Sequence, residues 1–445
     1  MSAPSIVILV PHPNRPAVLT TADGALPTTA GCPAGSSTAD HLAAVTERLG
    51  ALPPVLRIVL GQLNGNGESE RLLVDLETIG LVAPDGLTWT DAEDLDLSAA
   101  PPDLHDAVRR SVARHRDGPG PLDPPWARPG WMAEASAWMT GRMAALGHPA
   151  TAAPRVASLW GLAMILRAES AAGSMYLKCS VPVFGREAEV TAKLAEVTPE
   201  LVSRVADVQP DEGWLLMYDH GDRRLGDAPP EGWVAGLELL PTIQQAWTAR
   251  TGELVRSGAA ERPIAGLAAA LPGFATRDAL TAQFSPDDRR AWDAALPAFV
   301  AACIRLDELG PTATLVHGDF HPWNLTDEPS GPRIFDWTDA AISHPFTDLA
   351  VYVTRADDVA TRRAMRDAYL ARWSDHLEPA ALAEAGDLAL VVGTLYQVDS
   401  YLRIVESLGP NDIDDLAMAT GSWARSAIAT LTEGIDLVRP GHADG

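Results

Sequence analysis

The sequence predicts an α+β protein, with a small α/β domain first, a β-rich region after it and a mainly helical region up to the C-terminus. Three observations lead to this order. Short apolar runs rich in β-branched residues lie mainly in the first half of the chain. Turn-forming residues interrupt the chain between positions 116 and 129. From Glu231 onward, apolar residues recur mostly at helical spacing.

Residues 1–120 are predicted to form the small α/β domain. Ser5–Val10 and Val55–Gln62 are expected to be buried strands, because β-branched residues form short continuous apolar runs there. His41–Leu49 follows a Ser-Thr pair that can cap a helix, so a helix is expected. The domain ends where Pro and Gly crowd together after Arg116, since such residues break helices and strands alike.

Residues 128–222 are predicted to form the β-rich region. Ala171-Ala172-Gly173 is a hairpin turn between two apolar runs, which indicates an antiparallel meander. The expected elements are a helix at 131–146, strands at 155–159, 162–168 and 175–179, a helix at 187–194 and a strand at 214–218.

Residues 223–445 are predicted to form the helical region. A strand, a loop and a second strand interrupt its helices between Thr314 and Trp337, where Leu315-Val316 and Ile334-Phe335 are the apolar flanks. Val391–Leu408 is expected to be a helix that contains enough polar groups to line a cleft.

Length and charge limit the classes of function. The chain has 445 residues, whereas single cores stop growing at about 250–300 residues, so two or three domains are expected. Its formal net charge is −25, and no run of Lys or Arg offsets it. Such a charge repels nucleic acids and anionic membrane surfaces, so neither is an expected partner. A cationic substrate would be attracted.

The cysteines and the N-terminus indicate a cytoplasmic protein. Cys32, Cys179 and Cys303 are too far apart in sequence to suggest a disulfide framework or a zinc site. The apolar stretch Ile6–Val10 lacks the preceding positive charge and the cleavage site of a signal peptide. No uncharged apolar run approaches the roughly 18 residues of a membrane span.

The chemistry concentrates in Leu315–Leu325 and Arg333–Trp337, which contain H-G-D-x-x-x-x-N and, downstream, two apolar residues before D-W. Asp and Asn also favour turns, but a turn does not require this whole set at these spacings. Asp319, Asn324 and Asp336 are the residues of this set that are the candidates for chemistry.

These motifs resemble the catalytic core of the aminoglycoside-phosphotransferase-like and choline-kinase-like small-molecule kinases. The resemblance implies a bilobal protein-kinase-like fold, with 128–222 as the small lobe and 223–445 as the large one. It also implies that Asp319 accepts the hydroxyl proton, while Asn324 and Asp336 bind Mg²⁺. The donor it implies is ATP, with GTP as the alternative, and the acceptor is a small-molecule hydroxyl.

The same resemblance implies a nucleotide site. Lys178 would bind phosphate, with Glu187 as its partner, and Met217 and Asp219 would belong to the hinge that faces the nucleobase. Ser158-Leu159-Trp160-Gly161 stands where a G-x-G-x-x-G loop would be, so phosphate cradling would rest on backbone amides near Ser158 and Gly161.

The remaining candidates support the catalytic loop or face the acceptor. His317, Gly318 and Asp348 are expected to be structural at the site, although Asp348 could instead cap the following helix. The acceptor candidates are His321, Asp339, Gln397, Tyr401 and Arg403. An aminoglycoside, an amino sugar or a related cationic metabolite is the expected acceptor, because the chain is acidic. The sequence leaves the oligomeric state open.

The first domain resembles Nudix-fold domains through Gly24-Ala25-Leu26-Pro27 and Glu47-Arg48-Leu49-Gly50. Ala43, Ala44 and Arg48 stand where that family has an arginine and two metal-binding glutamates, so a structural or regulatory role is expected rather than hydrolysis. For the whole chain, a small-molecule kinase is the leading hypothesis. The alternative is a nucleotide-binding pseudokinase or regulatory module, which the missing glycine loop would favour.

Overall fold

A computed structural model describes residues 5–30, 38–50, 54–63, 71–78, 80–95, 102–120, 123–184, 186–328, 331–408 and 414–434. Internal contacts divide the chain into two compact units, and the division falls between Val181 and Pro182. The final helix of the described residues is grouped with unit 2. The predicted domain boundaries describe a different division of the chain and stay predictions.

Unit 1 begins with a mixed sheet in the order β3-β1-β5-β4, in which β1 and β5 run parallel and the other neighbours antiparallel. Strands β2 and β6 form a separate antiparallel pair. The described elements of this part are β1 (Ser5–Leu9), β2 (Ala17–Thr21), β3 (Thr28–Ala30), α1 (Thr38–Leu49), β4 (Pro54–Leu63), β5 (Arg71–Thr78), β6 (Leu87–Asp91) and α2 (Pro102–Asp117).

The predictions for this part are confirmed at β1, α1 and β4. In β1, Ile6, Ile8 and Leu9 are all fully buried. A strand covered on both faces is expected to be a continuous apolar run, as β1 is. Strands β2, β5 and β6 and helix α2 carry mixed polar and apolar residues, and the sequence patterns did not reveal them.

The predicted break after α2 is a packed segment. The buried guanidinium of Arg114, on α2, is 3.0 Å from the Asp75 carboxylate on β5 and also pairs with Asp123. Further on, both carboxylate oxygens of Glu77 accept the Gly130 N–H, at 3.0 and 3.1 Å. These bonds hold the segment between α2 and the next helix against the mixed sheet.

The last part of unit 1 is a helix and an antiparallel three-stranded meander, as predicted. The register pairs Trp160 with Ala163 at one turn and Ser170 with Gly173 at the other. The elements are α3 (Trp131–Ala145), β7 (Arg155–Trp160), β8 (Ala163–Ser170) and β9 (Gly173–Ser180).

Unit 2 is mainly helical around one large apolar core. Its described elements are α4 (Glu187–Val197), β10 (Val205–Gln209), β11 (Trp214–Tyr218), α5 (Trp233–Leu237), α6 (Leu239–Trp247), α7 (Thr251–Arg256), β12 (Ala260–Glu261), α8 (Ile264–Phe274), α9 (Asp278–Thr281), α10 (Pro286–Leu309), β13 (Thr314–Val316), β14 (Ala341–Ser343), α11 (Thr347–Val353), α12 (Val359–Ala371), α13 (Pro379–Ser407) and α14 (Asp414–Glu433).

One predicted strand of unit 2 is wrong. The sequence patterns predicted a second strand at Ile334-Phe335, but among the described residues Ile334 forms isolated bridges, with Val202 and Leu325, and no named strand. The physical reason is Asp336, whose φ of 63° is left-handed and ends the extended backbone directly after Phe335. The strand antiparallel to β13 is β14.

Helix α13 lies in the core of unit 2. By length and composition it is, within the described part of the chain, the one helix that could cross a membrane, but 78% of its apolar window is buried inside the protein. Burial among neighbouring helices therefore accounts for its apolar character. The α+β class, β-rich towards the N-terminus and helical towards the C-terminus, is confirmed.

Candidate active site

The catalytic loop starts at the end of β13 and is anchored by a carboxylate from α11. Asp348, only 2% exposed, accepts the backbone N–H of His317 at Oδ2 and that of Gly318 at Oδ1, both at 2.8 Å. The capping position of α11 is Phe346, and it makes no side-chain cap. Asp348 therefore binds the two amides that precede Asp319 and does not cap its own helix.

Gly318 is held on both sides of its backbone. Its φ is 87°, and an added Cβ would lie 2.5 Å from the Asp339 backbone oxygen. Gln397, a predicted acceptor residue on α13, is 3% exposed and donates its Nε2–H to the Gly318 carbonyl at 2.6 Å. Because Gly318 has no side chain, the backbone at Asp339 and the Gln397 side chain can both approach the loop next to Asp319.

His317 joins the loop to the segment that carries Asp336. The ring is fully buried, its Nε2 lies 3.0 Å from the Phe335 carbonyl, and its Nδ1 lies 3.3 Å from the Asp319 backbone N. Burial lowers the pKa of His317, so the neutral ring with its hydrogen on Nε2 satisfies both bonds. His317 is therefore a hydrogen-bonding link in the scaffold.

Asp319 presents a carboxylate that is 39% exposed. His321 approaches it, with 3.5 Å between Nε2 and the Asp319 Oδ2. Partial burial by itself raises the pKa of Asp319, but the charge and hydrogen bond of His321, together with Arg355 and His317, lower that pKa below its usual range. An ionised carboxylate that is a weak base can accept a hydrogen bond from a hydroxyl and orient it.

Asn324 and Asp336 are brought together by backbone pairing. Leu325 bridges Ile334, and the Phe335 N–H donates to the Asn324 carbonyl at 3.1 Å. The side-chain Nδ2–H of Asn324 donates to the Asp319 carbonyl at 3.0 Å, so Oδ1 is the atom left to meet a cation. Asp336 also accepts the hydroxyl of Thr338 at 2.8 Å.

This donor set suits a hard cation that is also bound by phosphate. Asn324 and Asp336 supply oxygen ligands, which Mg²⁺ prefers. Within the described residues, no group of three or more His, Cys, Asp and Glu side chains could hold a metal by itself. A cation at this position would therefore need further ligands from water or from a nucleotide.

Asp339 is a third carboxylate beside Asp319. Burial and the charge of Asp319 raise the pKa of Asp339 to about 7, although the charges of Arg262 and Arg403 oppose the rise. Near neutral pH, this group therefore changes its charge close to the catalytic carboxylate.

Replacing Asp339 with asparagine is expected to raise Tm more at pH 7.5 than at pH 4.5. The folded pKa is about 7 against an ordinary 3.8, so the stability that this group contributes is fully present below pH 3.8 and lost as pH rises through 7. Asparagine does not ionise, so the variant avoids a decrease in the free energy of unfolding on the order of 2–3 kcal/mol between pH 4.5 and pH 7.5. Thermal unfolding at both pH values measures the difference. Exposed Asp375→Asn is the control, and an equal Tm change at both pH values would contradict the expectation.

Two further acceptor candidates lie on α13 near these carboxylates. Burial raises the pKa of Tyr401, and the charge of Asp319 adds to the rise, which puts its phenol in the neighbourhood of the catalytic carboxylate. Arg403 is exposed, and its charge acts on Asp339. Tyr401, Arg403 and Asp339 are thus grouped with Asp319, whereas the buried Gln397 is already engaged by the loop.

The predicted nucleotide-site residues lie in both units. In unit 1, Lys178 is buried on β9, while Ser158 and Gly161 lie in and just after β7. In unit 2, Glu187 begins α4, Met217 lies on β11, and the Asp219 carboxylate accepts the Gly221 N–H at 2.7 Å. Their nucleotide contacts, and the pairing of Lys178 with Glu187, stay predictions.

The sequence patterns missed two residues that act on carboxylates of the site, Gln244 on Asp348 and Arg262, through its charge, on Asp339. Gln244 on α6 is fully buried and donates to Asp348 Oδ2 at 3.3 Å. Arg262 pairs with Asp399 at 2.8 Å and lies 3.7 Å from the centre of the Tyr396 ring. Both precede the motif by more than 50 positions, and neither belongs to a recognisable pattern, so no sequence signal pointed to them.

Comparison with known proteins adds a family. Residues 185–384 match the model of the phosphotransferase enzyme family APH, a range that includes the whole catalytic loop and Asp348. No curated protein matches the chain significantly. The match bears out the resemblance found in the motifs and supports a small-molecule phosphotransferase activity. The Nudix-like resemblance of the first domain is not confirmed.

Solved structures of related proteins match with low identity. Macrolide 2'-phosphotransferase MphH from Brachybacterium faecium is 19% identical, covering 64% of this chain and 97% of that one, with a TM-score of 0.45. Choline kinase LicA from Streptococcus pneumoniae is 12% identical, with 66% and 98% coverage and a TM-score of 0.47. A choline/ethanolamine kinase family protein from Mesorhizobium loti is 16% identical, with 69% and 98% coverage and a TM-score of 0.45.

Proposed function

Because residues 185–384 match the model of the phosphotransferase enzyme family APH, we propose that the protein transfers the γ-phosphoryl group of ATP to a hydroxyl of a small molecule. An aminoglycoside, an amino sugar or a related cationic metabolite is the proposed acceptor class. One observation carries the proposal: Asp348 binds the amides of His317 and Gly318 at 2.8 Å and so fixes the loop that presents the partly exposed Asp319.

In the proposed reaction, Asp319 accepts a hydrogen bond from the acceptor hydroxyl and aims its oxygen at the γ-phosphorus. The new oxygen–phosphorus bond forms as the bond to the β-phosphate oxygen breaks, so ADP leaves. The hydroxyl proton passes to Asp319 and from there to solvent. The low pKa of Asp319 fits a role in orientation more than in strong general-base catalysis.

Asn324 and Asp336 would hold Mg²⁺ in this proposal. When bound, the ion neutralises negative charge on the nucleotide phosphates. The chain keeps its two ligands adjacent through the Phe335 N–H bond to the Asn324 carbonyl, at 3.1 Å. The Asn324 Nδ2–H also donates to the Asp319 carbonyl at 3.0 Å, so a hydrogen bond connects the proposed metal ligand to the backbone of the proposed catalytic residue.

The nucleotide-site assignments belong to the same proposal. Lys178 and Glu187 are proposed for the phosphates, Met217 and Asp219 for the nucleobase, and the turn from Ser158 to Gly161 for the phosphate backbone. GTP remains the alternative donor. A cytoplasmic location, without a nucleic-acid or membrane partner, fits the acidic composition.

The test is a phosphoryl-transfer screen with radiolabelled ATP. Aminoglycosides, amino sugars, amino alcohols and neutral sugars are incubated with the enzyme and Mg²⁺, and labelled products are counted. We expect cationic hydroxyl compounds to be labelled best, because the chain carries a net charge of −25. Labelling of neutral compounds alone would contradict the acceptor class. Nucleotide binding without turnover would instead indicate the non-catalytic nucleotide-binding module.

Replacing Asn324 with alanine is expected to raise the Mg²⁺ concentration needed for half-maximal rate by at least about tenfold, because one of two protein ligands is lost. The rate is titrated with Mg²⁺ at saturating ATP. Exposed Asn14→Ala, in unit 1, is the matched control and should titrate like the wild type. A wild-type Mg²⁺ requirement in Asn324→Ala would remove Asn324 from the metal site.

A further inference from the structure

A closed hydrogen-bond network lies behind the catalytic loop, around Gln244. This side chain is fully buried on α6. Its Nε2 donates to the Pro345 carbonyl at 3.0 Å and to Asp348 Oδ2 at 3.3 Å, and its Oε1 accepts the Tyr369 hydroxyl at 2.8 Å. The Tyr369 hydroxyl also lies 3.0 Å from the Pro345 carbonyl. The side-chain amide of Gln244 on α6 thus connects Tyr369 on α12 and the Pro345 carbonyl to Asp348, the carboxylate that binds the loop amides.

The charge of Asp348 is balanced by N–H donors alone. Among the described residues, no Lys, Arg or His lies within ion-pair distance of it; its partners are the N–H groups of His317, Gly318 and Gln244. Burial raises the pKa of Asp348 to about 7, the charge of Asp319 adds to the rise, and these three N–H donors oppose it. Near neutral pH, both the ionised and the protonated form of Asp348 are therefore populated within this network.

Resting on the proposed function, we propose that Gln244 is a positioning residue whose side-chain amide keeps both oxygens of Asp348 available to the catalytic-loop amides. The Nε2–H bond at 3.3 Å stabilises the carboxylate form, in which Oδ2 accepts from His317 and Oδ1 from Gly318. Gln244 thereby acts on Asp319 through Asp348 and the loop backbone.

Rotation of the Gln244 amide would give the network a second, less favourable hydrogen-bonded arrangement. If Asp348 is protonated at Oδ2, a half-turn of the amide would let Oε1 accept the new O–H and Nε2 donate to the Tyr369 oxygen, but Oε1 would then face the Pro345 carbonyl oxygen, to which Nε2 donates at 3.0 Å in the structure. Tyr369 then donates to the Pro345 carbonyl, which is already 3.0 Å away. In this arrangement Oδ2 is a weaker acceptor for the His317 N–H, and the loop is held less firmly.

Other titratable groups face Asp348 from the elements packed around it. They are Asp319 on the catalytic loop, Tyr369 on α12 and Tyr396 on α13. Burial raises the pKa of both tyrosines far above neutrality, and Asp319 has a lowered pKa. Between pH 6 and 9, Asp348 is thus the group among these that changes its charge.

The test compares Gln244→Met with Gln245→Met. Methionine fills similar volume but cannot donate to Asp348, whereas Gln245, on the same helix, donates to the Arg372 carbonyl, at 2.7 Å. The pH dependence of kcat is measured with an acceptor from the screen, or with Mg²⁺ and ATP alone if hydrolysis is detectable. In Gln244→Met we expect the acid limb to move up by about one pH unit, with KM for ATP unchanged. Gln245→Met should keep the wild-type profile.

A second measurement does not depend on activity. The folded pKa of Asp348 lies above its ordinary value, so its stability contribution is present below pH 3.8 and lost as pH rises through the folded pKa. In Gln244→Met the folded pKa of Asp348 should be higher still, so its stabilising contribution continues to fall over a wider range of rising pH. The difference in Tm between Gln244→Met and the wild type should therefore be larger at pH 9 than at pH 6. The gap of Gln245→Met should be equal at both pH values.

Tyr369→Phe serves as a second variant in case Gln244→Met does not fold. Without the Tyr369 hydroxyl, the Gln244 amide is freer to turn Oε1 towards Asp348, which favours the protonated carboxyl. We expect the same upward direction in the acid limb and the same widening of the Tm gap, by about half as much. An unshifted acid limb or a pH-independent Tm gap in the folded variants would overturn the proposal. If no phosphoryl transfer exists, the Tm comparison still decides it.

Discussion

Replacing Asp319 with alanine is expected to lower kcat at least about a thousandfold while the Kd for ATP with Mg²⁺ stays within about twofold. Asp319 is the 39%-exposed carboxylate that the anchored loop presents, and no metal role is proposed for it. Its loss therefore removes orientation of the attacking hydroxyl and leaves the nucleotide ligands in place. Steady-state kinetics and calorimetric ATP titration measure the two quantities.

The control for this prediction is Asp327→Ala. Asp327 lies eight positions further along, and its carboxylate pairs with the exposed Arg223. Because this pair is at the surface, its loss should change kcat by less than about threefold. An Asp319→Ala enzyme with wild-type turnover would refute the catalytic assignment. A large loss of ATP affinity in that variant would show instead that Asp319 contributes to nucleotide binding.

Replacing Gly318 with alanine is expected to destabilise the protein by about 2–5 kcal/mol and to abolish most activity. A left-handed backbone costs a non-glycine residue roughly 1–2 kcal/mol. The new Cβ would lie 2.5 Å from the Asp339 backbone oxygen and from its Cβ, and overpacking of this kind costs about 1–3 kcal/mol. The obstacle includes backbone only two residues before β14, so it cannot move aside like a flexible side chain.

Gly213→Ala separates the two costs. Gly213 has a φ of 66°, but no atom lies within 4 Å of an added Cβ, so only the backbone cost of about 1–2 kcal/mol applies. Urea unfolding measures the free energy of unfolding of both variants. Equal losses would show that the contact with Asp339 is unimportant. Full activity in Gly318→Ala would show that the loop tolerates the shift.

The acid-sensitive groups of the site are spread over three segments. Asp319 has a lowered pKa, whereas Asp339 and Asp348 have pKa values raised to about 7. The difference comes from their partners: His321 is 3.5 Å from Asp319, while the partners of Asp348 among the described residues are N–H donors. A rate that falls below about pH 7 would therefore fit protonation of Asp348 or Asp339 and not protonation of Asp319.

Local patterns were sufficient for much of the fold. Strand β11 was predicted over Trp214–Tyr218, which is its range in the structure. The meander β7–β9 followed from apolar runs around one turn, because hairpin partners are close in sequence. A strand was wrongly predicted at Ile334-Phe335 because an apolar pair resembles a strand, while the left-handed backbone of Asp336 that ends it has no local sequence signal.

The acceptor side shows the limit of local reasoning. Gln397, Tyr401 and Arg403 were grouped because they share one helix, yet the structure separates them by burial. Gln397 is 3% exposed and bound to the Gly318 carbonyl, whereas Arg403 is exposed. Which residue of a helix faces the core depends on the neighbours that cover it, and those neighbours come from distant parts of the chain.

The sequence by itself predicted the candidate site of this protein: Asp319, Asn324 and Asp336 stand in one short stretch, and the motifs there resemble those of small-molecule kinases. Only the tertiary structure decided what holds that site. Asp348 lies 29 positions after Asp319, and Gln244 lies 75 positions before it. Asp348 binds the loop amides, and Gln244 binds Asp348, because α6 and α11 pack around one core. Packing over such distances leaves no local pattern in the sequence.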